Sequence, residues 1–232
     1  IVPHTPTAYT DVMAEKGGRS RTYFHCRGAN AQLDIEHIDT IDTNAKIFHL
    51  GYLLLLDKLD AEDPQYKVKA ARILDKLQKK GYKTSVDVVS EESNRFSRII
   101  TPCLPFTDYL IINEVEAAQC TGIPTRTSQN TVIIENIKNA AQQLLDNGVK
   151  ELVFPRRWLR DKQEWEFHFC SVISYSSTTY CFNCWSRRCL LFRNVICHTR
   201  RIFFERIIII CFGLCLFQSS KRNLHWRCTN FR

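Results

Sequence analysis

The printed sequence lacks the segments that mark secreted and membrane-spanning proteins. It opens without methionine and without an apolar leader, so we expect no secretory signal and a chain truncated at its N-terminus. Its longest apolar run, residues 207–217, has 11 residues. A membrane-spanning helix needs about 20 residues, so this run is too short to be one.

Residues 154–232 also lack amino acids that a folded domain normally uses. This tail has no alanine, no methionine and one glycine, Gly213, yet it holds all four tryptophans, ten of the 14 phenylalanines and eight of the 11 cysteines. Its net charge is +10, whereas residues 1–153 carry −2. The total of +8 would suggest a nucleic-acid partner, and 11 cysteines would suggest disulfides or zinc, but the basic excess and most of the cysteines lie in the tail. Residues 1–153, which we call the front part, have three cysteines. This low number is typical of a reduced, cytoplasmic protein.

The front part alternates between strand and helix patterns. Strands are predicted at residues 46–50, 83–89, 108–112 and from 151, with helices from Asp63-Pro64, over 91–100, from Glu114 and over 132–147. Such β-α repeats predict an α/β fold with a mainly parallel sheet covered by helices. Sites in these folds lie at the C-terminal ends of the strands. Ahead of the repeats, residues 22–26 predict a strand of a separate hairpin, preceded by Gly17-Gly18.

Two groups near the predicted strand ends could carry chemistry. Asn113 and Glu116 fall on the first turn of a helix, where a carboxylate can hold Mg²⁺ through water and free N–H groups can face phosphate. Spacing alone favours helix capping for this pair. Asp87 lies near the end of the strand over 83–89, and the pattern supports a residue facing the site and a turn cap equally.

Four segments together resemble the ribokinase/PfkB family of carbohydrate kinases. They are R-T-Y-F-H-C-R-G-A-N-A from Arg21, H-L-G-Y-L-L-L-L-D from His49, V-D-V-V-S-E-E-S-N-R-F from Val86, and Y-L-I-I-N-E-V-E-A-A from Tyr109. The resemblance implies a ribokinase-like three-layer α/β/α fold, with residues 1–30 giving part of a small β lid and 31–153 a partial kinase core. It also implies transfer of phosphate from ATP, with Mg²⁺, to a hydroxyl of a sugar. Asn113 and Glu116 match the family's N-x-x-E motif of the phosphate and Mg²⁺ region, which favours the functional interpretation.

The family's G-A-G-D signature, which supplies a catalytic aspartate and an anion hole, does not occur in residues 154–232. A change of reading frame near Val153 would explain this. Residues 183–191 (N-C-W-S-R-R-C-L-L) can be encoded so that a shift of one nucleotide gives T-V-G-A-G-D-A-F. The same shift applied to residues 154–158 permits F-P-E-G-G, and residues 205–217 then permit an alanine-rich helix.

In this hypothesis the aspartate base is encoded across the codons of Arg188 and Cys189, so no catalytic residue is intact. We therefore predict that the chain is impaired as a kinase, that the tail is irregular and that the sheet keeps an unfinished edge. Its expected partners are a small sugar substrate and ATP, without nucleic acid or membrane. The sugar and the oligomeric state stay open.

Two other functions remain open from the sequence. The tail could be a zinc or nucleic-acid module, because Cys181 and Cys184 form a C-x-x-C with Cys189, Cys197 and His198 downstream. Adjacent Cys197 and His198 are a poor chelating pair, and a lone C-x-x-C is a weak signal. Alternatively, the chain could be a non-catalytic interaction protein that keeps a kinase fold.

Overall fold

The computed structural model describes residues 2–15, 21–155, 170–174, 178–181, 207–211 and 216–218. The strands are β1 (Tyr9–Ala14), β2 (Arg21–Cys26), β3 (Ile47–Leu53), β4 (Glu62–Asp63), β5 (Lys67–Val68), β6 (Lys83–Val88), β7 (Tyr109–Ile111), β8 (Glu151–Pro155), β9 (Cys170–Ser174), β10 (Thr178–Cys181), β11 (Ile207–Cys211) and β12 (Leu216–Gln218). The α-helices are α1 (Ile35–Asp39), α2 (Lys69–Lys79), α3 (Phe96–Ile99), α4 (Glu114–Thr121) and α5 (Ile134–Asp146). Short 3₁₀ helices span Gly28–Gln32 and Thr101–Phe106.

One eight-stranded sheet organises these elements, in the order β10-β9-β8-β7-β6-β3-β11-β12. Strands β8, β7, β6, β3 and β11 run parallel to one another, whereas β9 pairs antiparallel with β8, β10 with β9, and β12 with β11. Successive residues of β3, β6 and β7 are buried, so both faces of the sheet centre are covered. The predicted α/β class with a mainly parallel sheet is therefore confirmed.

Helix α2 packs one apolar face against the sheet. Its buried residues Ala70, Ile73, Leu74 and Leu77 recur at helical spacing and join the main hydrophobic core. Helix α5 buries a comparable stripe and contacts α4 and β8. Within the described residues, no helix has the length and hydrophobicity that a membrane span requires.

The starts of two helices differ from their predictions. Asp63-Pro64 does not begin α2, because the Asp63 carboxylate instead accepts the N–H groups of Gln65 and Tyr66 in the turn between β4 and β5. The N-cap signal is thus satisfied by a local turn, and the helix starts at Lys69. The helix predicted over 91–100 begins only at Phe96. By contrast, α4 begins at Glu114 as predicted.

The predicted hairpin outside the main sheet is confirmed, since β1 and β2 form a separate antiparallel ribbon. Its Gly17-Gly18 segment lies outside the described residues.

Four strands fall in the tail, for which the sequence predicts irregular structure and an unfinished sheet edge. Strand β9 pairs with β8, and β11 pairs with β3, so each of these edges of the front part has a neighbour. The expectation of irregularity therefore does not extend to these residues. The runs C-S-V-I-S and I-I-I-I-C are rich in β-branched residues, which suit a strand that satisfies unpaired edge groups.

Candidate active site

The C-terminal ends of β3, β6, β7 and β8 lie at one edge of the sheet, because these strands are parallel. The segments that leave this edge begin with Leu54 after β3, Val89-Ser90 after β6 and Ile112-Asn113 after β7. The candidate site residues from the sequence, Asp87, Asn113 and Glu116, come from two of these neighbouring strand ends. We call this edge the site edge.

Asn113 is the N-cap of α4. Its side-chain Oδ1 accepts the backbone N–H groups of Val115 and Glu116, each at 2.9 Å. Its own backbone N–H donates to Glu116 Oε2 at 2.9 Å, which completes a capping box. The capping interpretation of the N-x-x-E spacing is thus present in the structure. The sequence analysis considered N–H groups of this first turn as phosphate ligands. In the structure, those of Asn113, Val115 and Glu116 all donate within the cap.

Glu116 is almost completely buried, with 1% of its surface exposed. Its second carboxylate oxygen, Oε1, accepts the Ser90 hydroxyl at 2.5 Å, a length typical of a hydroxyl bound to a carboxylate. Asn113 Nδ2 donates to Ser90 Oγ at 3.1 Å. Ser90 therefore joins the end of β6 to the start of α4, and no local pattern predicted this contact, because residues 90 and 116 are 26 positions apart.

Asp87 is buried near the end of β6, opposite Ile111 of β7. Its Oδ1 accepts the N–H of Val88 at 3.0 Å. Strand alternation puts Asp87 on the same sheet face as Ser85. The structure thus brings Asp87 to the site edge, while its role there stays a prediction.

Two histidines, His49 and His25, lie within strands. His49 is buried in β3, with Nδ1 at 3.0 Å from Ser85 Oγ. Burial lowers the pKa of His49 to about 4, so this ring is neutral at physiological pH. On the separate ribbon, His25 Nδ1 lies 2.7 Å from Thr10 Oγ1. Burial and the nearby Arg27 charge lower the pKa of His25 as well.

A second network at the site edge ties the β3 end to the β6 end. Arg95 donates to both oxygens of Glu91, at 3.0 and 2.6 Å, and to the Leu54 carbonyl at 3.1 Å. Leu54 has a φ of 78°, a left-handed conformation that is strained for a branched residue. Its N–H donates to the buried Asp60 carboxylate at 3.3 Å. Leu54 is thus held from both sides, by contacts that only the tertiary fold creates.

Asp60 is the most perturbed acid of this network. Burial raises its pKa to about 6, although the N–H groups of Leu54 and Leu56 and the charges of Arg95 and Arg27 oppose that rise. The carboxyl therefore titrates well above the range of an exposed aspartate.

The site predictions in the tail cannot be placed. Arg188 and Cys189, across which the catalytic aspartate is expected to be encoded, lie outside the described residues, as do Cys184, Cys197 and His198. Only the backbone of Cys181, in β10, is described. In the part of the chain that the structure covers, no group of three or more His, Cys, Asp or Glu side chains could hold a metal.

The parallel sheet, with the capped helix α4 at one edge, defines an α/β protein whose candidate site residues lie near strand ends. Comparison with known families is specific: the model of the pfkB family of carbohydrate kinases matches residues 1–156. The chain belongs to this family.

Solved structures are similar to this chain at low sequence identity. The structure of Sa239 is 16% identical, with a TM-score of 0.52 over 81% of this chain and 54% of that one. A fructokinase from Xylella fastidiosa is 16% identical, with a TM-score of 0.49 over 77% of this chain and 52% of its own. An Arabidopsis thaliana ribokinase, solved with ribose and ATP, is 15% identical, with a TM-score of 0.43 over 78% and 49%. The chain thus spans about half the length of these proteins. None of the curated proteins matches its sequence.

Proposed function

We propose that this chain is part of an ATP-dependent kinase that phosphorylates a hydroxyl of a sugar or a sugar-like small molecule. Membership of the pfkB family over residues 1–156 supports the reaction class. The observation that carries the assignment of the site is the cap of α4, which holds the Glu116 carboxylate at the site edge. We place the phosphates and Mg²⁺ of the nucleotide near Asn113 and Glu116, with Asp87 as a further candidate.

The donor set fits Mg²⁺ held through water. Both Glu116 oxygens already accept a hydrogen bond, from Ser90 and from the Asn113 N–H, so a direct metal bond would compete with one of them. Mg²⁺ usually keeps several waters and binds one or two carboxylates together with substrate phosphates. A site built from Glu116 and Asp87 therefore needs no third protein ligand. When bound, Mg²⁺ would neutralise charge on the phosphoryl group during transfer.

The protein's own residues provide positioning. Asn113 fixes the first turn of α4 against the end of β7, and this turn carries the Glu116 carboxylate. Arg95 and Asp60 fix the turn after β3, which we propose forms one wall of the substrate pocket. Positioning is the larger part of what a kinase contributes, because phosphoryl transfer requires little covalent chemistry from the protein.

We further propose that this chain is catalytically impaired. The string G-A-G-D, which would supply the base and the backbone amides of an anion hole, does not occur in the sequence. A general base and an oxyanion donor are each worth about 10²–10³-fold, so we expect a loss on the order of 10⁴-fold or more.

The test is sugar-dependent release of ADP by the purified chain, with ATP, Mg²⁺ and a panel of sugars. The matched control is the product of a gene in which one nucleotide is deleted near codon 153 to restore the frame. We expect no turnover by the chain and measurable turnover by the control. Turnover by the unaltered chain would refute the impairment, and a genomic sequence whose shifted frame lacks G-A-G-D would refute the frame change. Zinc bound in stoichiometric amount would instead favour a metal module in the tail.

A further inference from the structure

Ser90 connects two elements that belong to neighbouring strands. It lies two residues beyond the end of β6, whereas Glu116 lies in α4, which follows β7. The Ser90 hydroxyl donates to Glu116 Oε1 at 2.5 Å and accepts from Asn113 Nδ2 at 3.1 Å. One exposed serine thus contacts both residues of the N-x-x-E motif.

The direction of these hydrogen bonds is fixed by the cap of α4. Asn113 Oδ1 accepts the N–H groups of Val115 and Glu116, so Asn113 Nδ2 must be the atom that faces Ser90. Because an amide nitrogen only donates, Ser90 Oγ accepts there, and its own proton is free for the Glu116 carboxylate. The hydroxyl therefore has one orientation that satisfies both partners.

Helix stability does not explain this arrangement. The capping box needs only Asn113 and Glu116 Oε2, and it is complete without the serine. Ser90 contacts the one carboxylate oxygen that the cap does not use. It is exposed at the site edge, whereas the carboxylate that it contacts belongs to a residue with 1% exposure.

We propose that Ser90 is a positioning residue, which orients the Glu116 carboxylate toward the magnesium and phosphates of the nucleotide. This inference rests on the proposed function of the site. Held at Oε2 by the Asn113 N–H and at Oε1 by Ser90, the carboxylate plane has a single orientation. Partners that orient a metal-binding carboxylate in this way commonly change metal affinity about 10–100-fold when they are removed.

The experiment measures binding of Mn²⁺, as a probe for Mg²⁺, to the full chain in the presence of ADP, from the electron paramagnetic resonance signal of free Mn²⁺. The variants are Ser90→Ala, Ser90→Thr, Glu116→Gln and, as a control, Ser97→Ala at an exposed serine of α3. We expect weaker binding by about 10-fold for Ser90→Ala, with affinity restored by Ser90→Thr because the hydroxyl is kept. Glu116→Gln should weaken binding at least as much, and Ser97→Ala should bind as the unaltered chain does.

A second measurement separates positioning from a structural role. Amide hydrogen exchange at Val115 and Glu116 reports the cap, which we expect to be unchanged by Ser90→Ala. Loss of this protection together with metal affinity would show that Ser90 anchors the helix, and would overturn the inference.

The affinities also separate the two proposals. Normal binding by Ser90→Ala, with weak binding by Glu116→Gln, would overturn the role of Ser90 and leave the proposed site intact. Normal binding by Glu116→Gln, or no Mn²⁺ binding by the unaltered chain, would overturn the proposed site and the inference with it.

Discussion

Lys150 Nζ donates to Asp108 Oδ1 at 2.6 Å and so joins the start of β8 to the start of β7. Lys83, the first residue of β6, lies 3.2 Å from the same oxygen. The other oxygen, Oδ2, accepts Gln78 Nε2 and the Thr84 N–H. Asp108 is 2% exposed, so one buried carboxylate ties three parallel strands together at the edge opposite the site.

Replacing Asp108 with asparagine should destabilise the chain by about 2 kcal/mol at pH 7. Lys83 and Lys150 would lose their ionic partner, and the buried side chain at position 108 would no longer be a carboxylate that accepts from every donor around it. Urea denaturation measures the change. The matched control is Asp42→Asn at an exposed aspartate, which should change stability by less than about 0.5 kcal/mol.

The same carboxylate predicts a pH dependence. Burial alone would raise the pKa of Asp108, but the hydrogen bonds from Lys150 and Thr84 and the charges of Lys150 and Lys83 outweigh it and hold this pKa below its usual value. The folded state therefore gains stability from the ionised group above the unfolded pKa of about 3.9, and loses it as the pH falls through the lower folded pKa. The cost of Asp108→Asn should shrink when urea denaturation is repeated below pH 4. An equal cost at both pH values would contradict this assignment.

Asp60 predicts the opposite dependence. Its pKa is raised to about 6 by burial, so the folded state holds a proton that the unfolded state has already released between about pH 4 and pH 6. Stability from this group therefore falls as the pH rises through that interval. The unaltered chain should lose about 2–3 kcal/mol relative to Asp60→Asn between pH 4 and pH 7, at about 1.4 kcal/mol per pKa unit. Urea denaturation of both proteins across this range tests it, and parallel curves would disprove the shift.

The N-cap of α4 predicts a stability effect of its own. Asn113→Ala removes the acceptor for two backbone N–H groups and should cost about 1 kcal/mol. Asn113→Asp keeps an acceptor at the same place and should retain most of that stability in thermal denaturation. If both variants melt alike, the cap contributes through the amide nitrogen rather than through Oδ1.

Comparing Gly148 with Gly81 separates the cost of a steric clash from the cost of a left-handed backbone conformation. Both have positive φ angles, 107° and 91°. An added Cβ at Gly148 would lie 2.8 Å from Pro105 Cα, whereas at Gly81 it would meet nothing within 4 Å. Gly81→Ala should therefore cost only the left-handed strain of about 1–2 kcal/mol, and Gly148→Ala should cost more because of the steric clash. Equal melting temperatures of the two variants would contradict the clash.

Local signals in the sequence predicted the strands β3, β6, β7 and β8 and the presence of helices α2 and α5, because side-chain periodicity depends only on residues close in the chain. The same kind of signal identified Asn113 and Glu116 at the start of α4. Asp63-Pro64 shows the limit of such signals, since a capping aspartate stabilises a turn as readily as a helix start, and only the pairing of β4 with β5 decided between them.

The sequence by itself therefore determined the α/β class, the family and the position of the N-x-x-E pair, since these follow from short patterns. Tertiary structure alone decided that Ser90 meets Glu116, that Arg95 and Asp60 hold Leu54, and that Asp108 receives two lysines. The Ser90, Arg95 and lysine contacts each join residues between 25 and 42 positions apart. Their existence depends on the order of the parallel strands, and the pKa of Asp60 depends on how completely that packing excludes water.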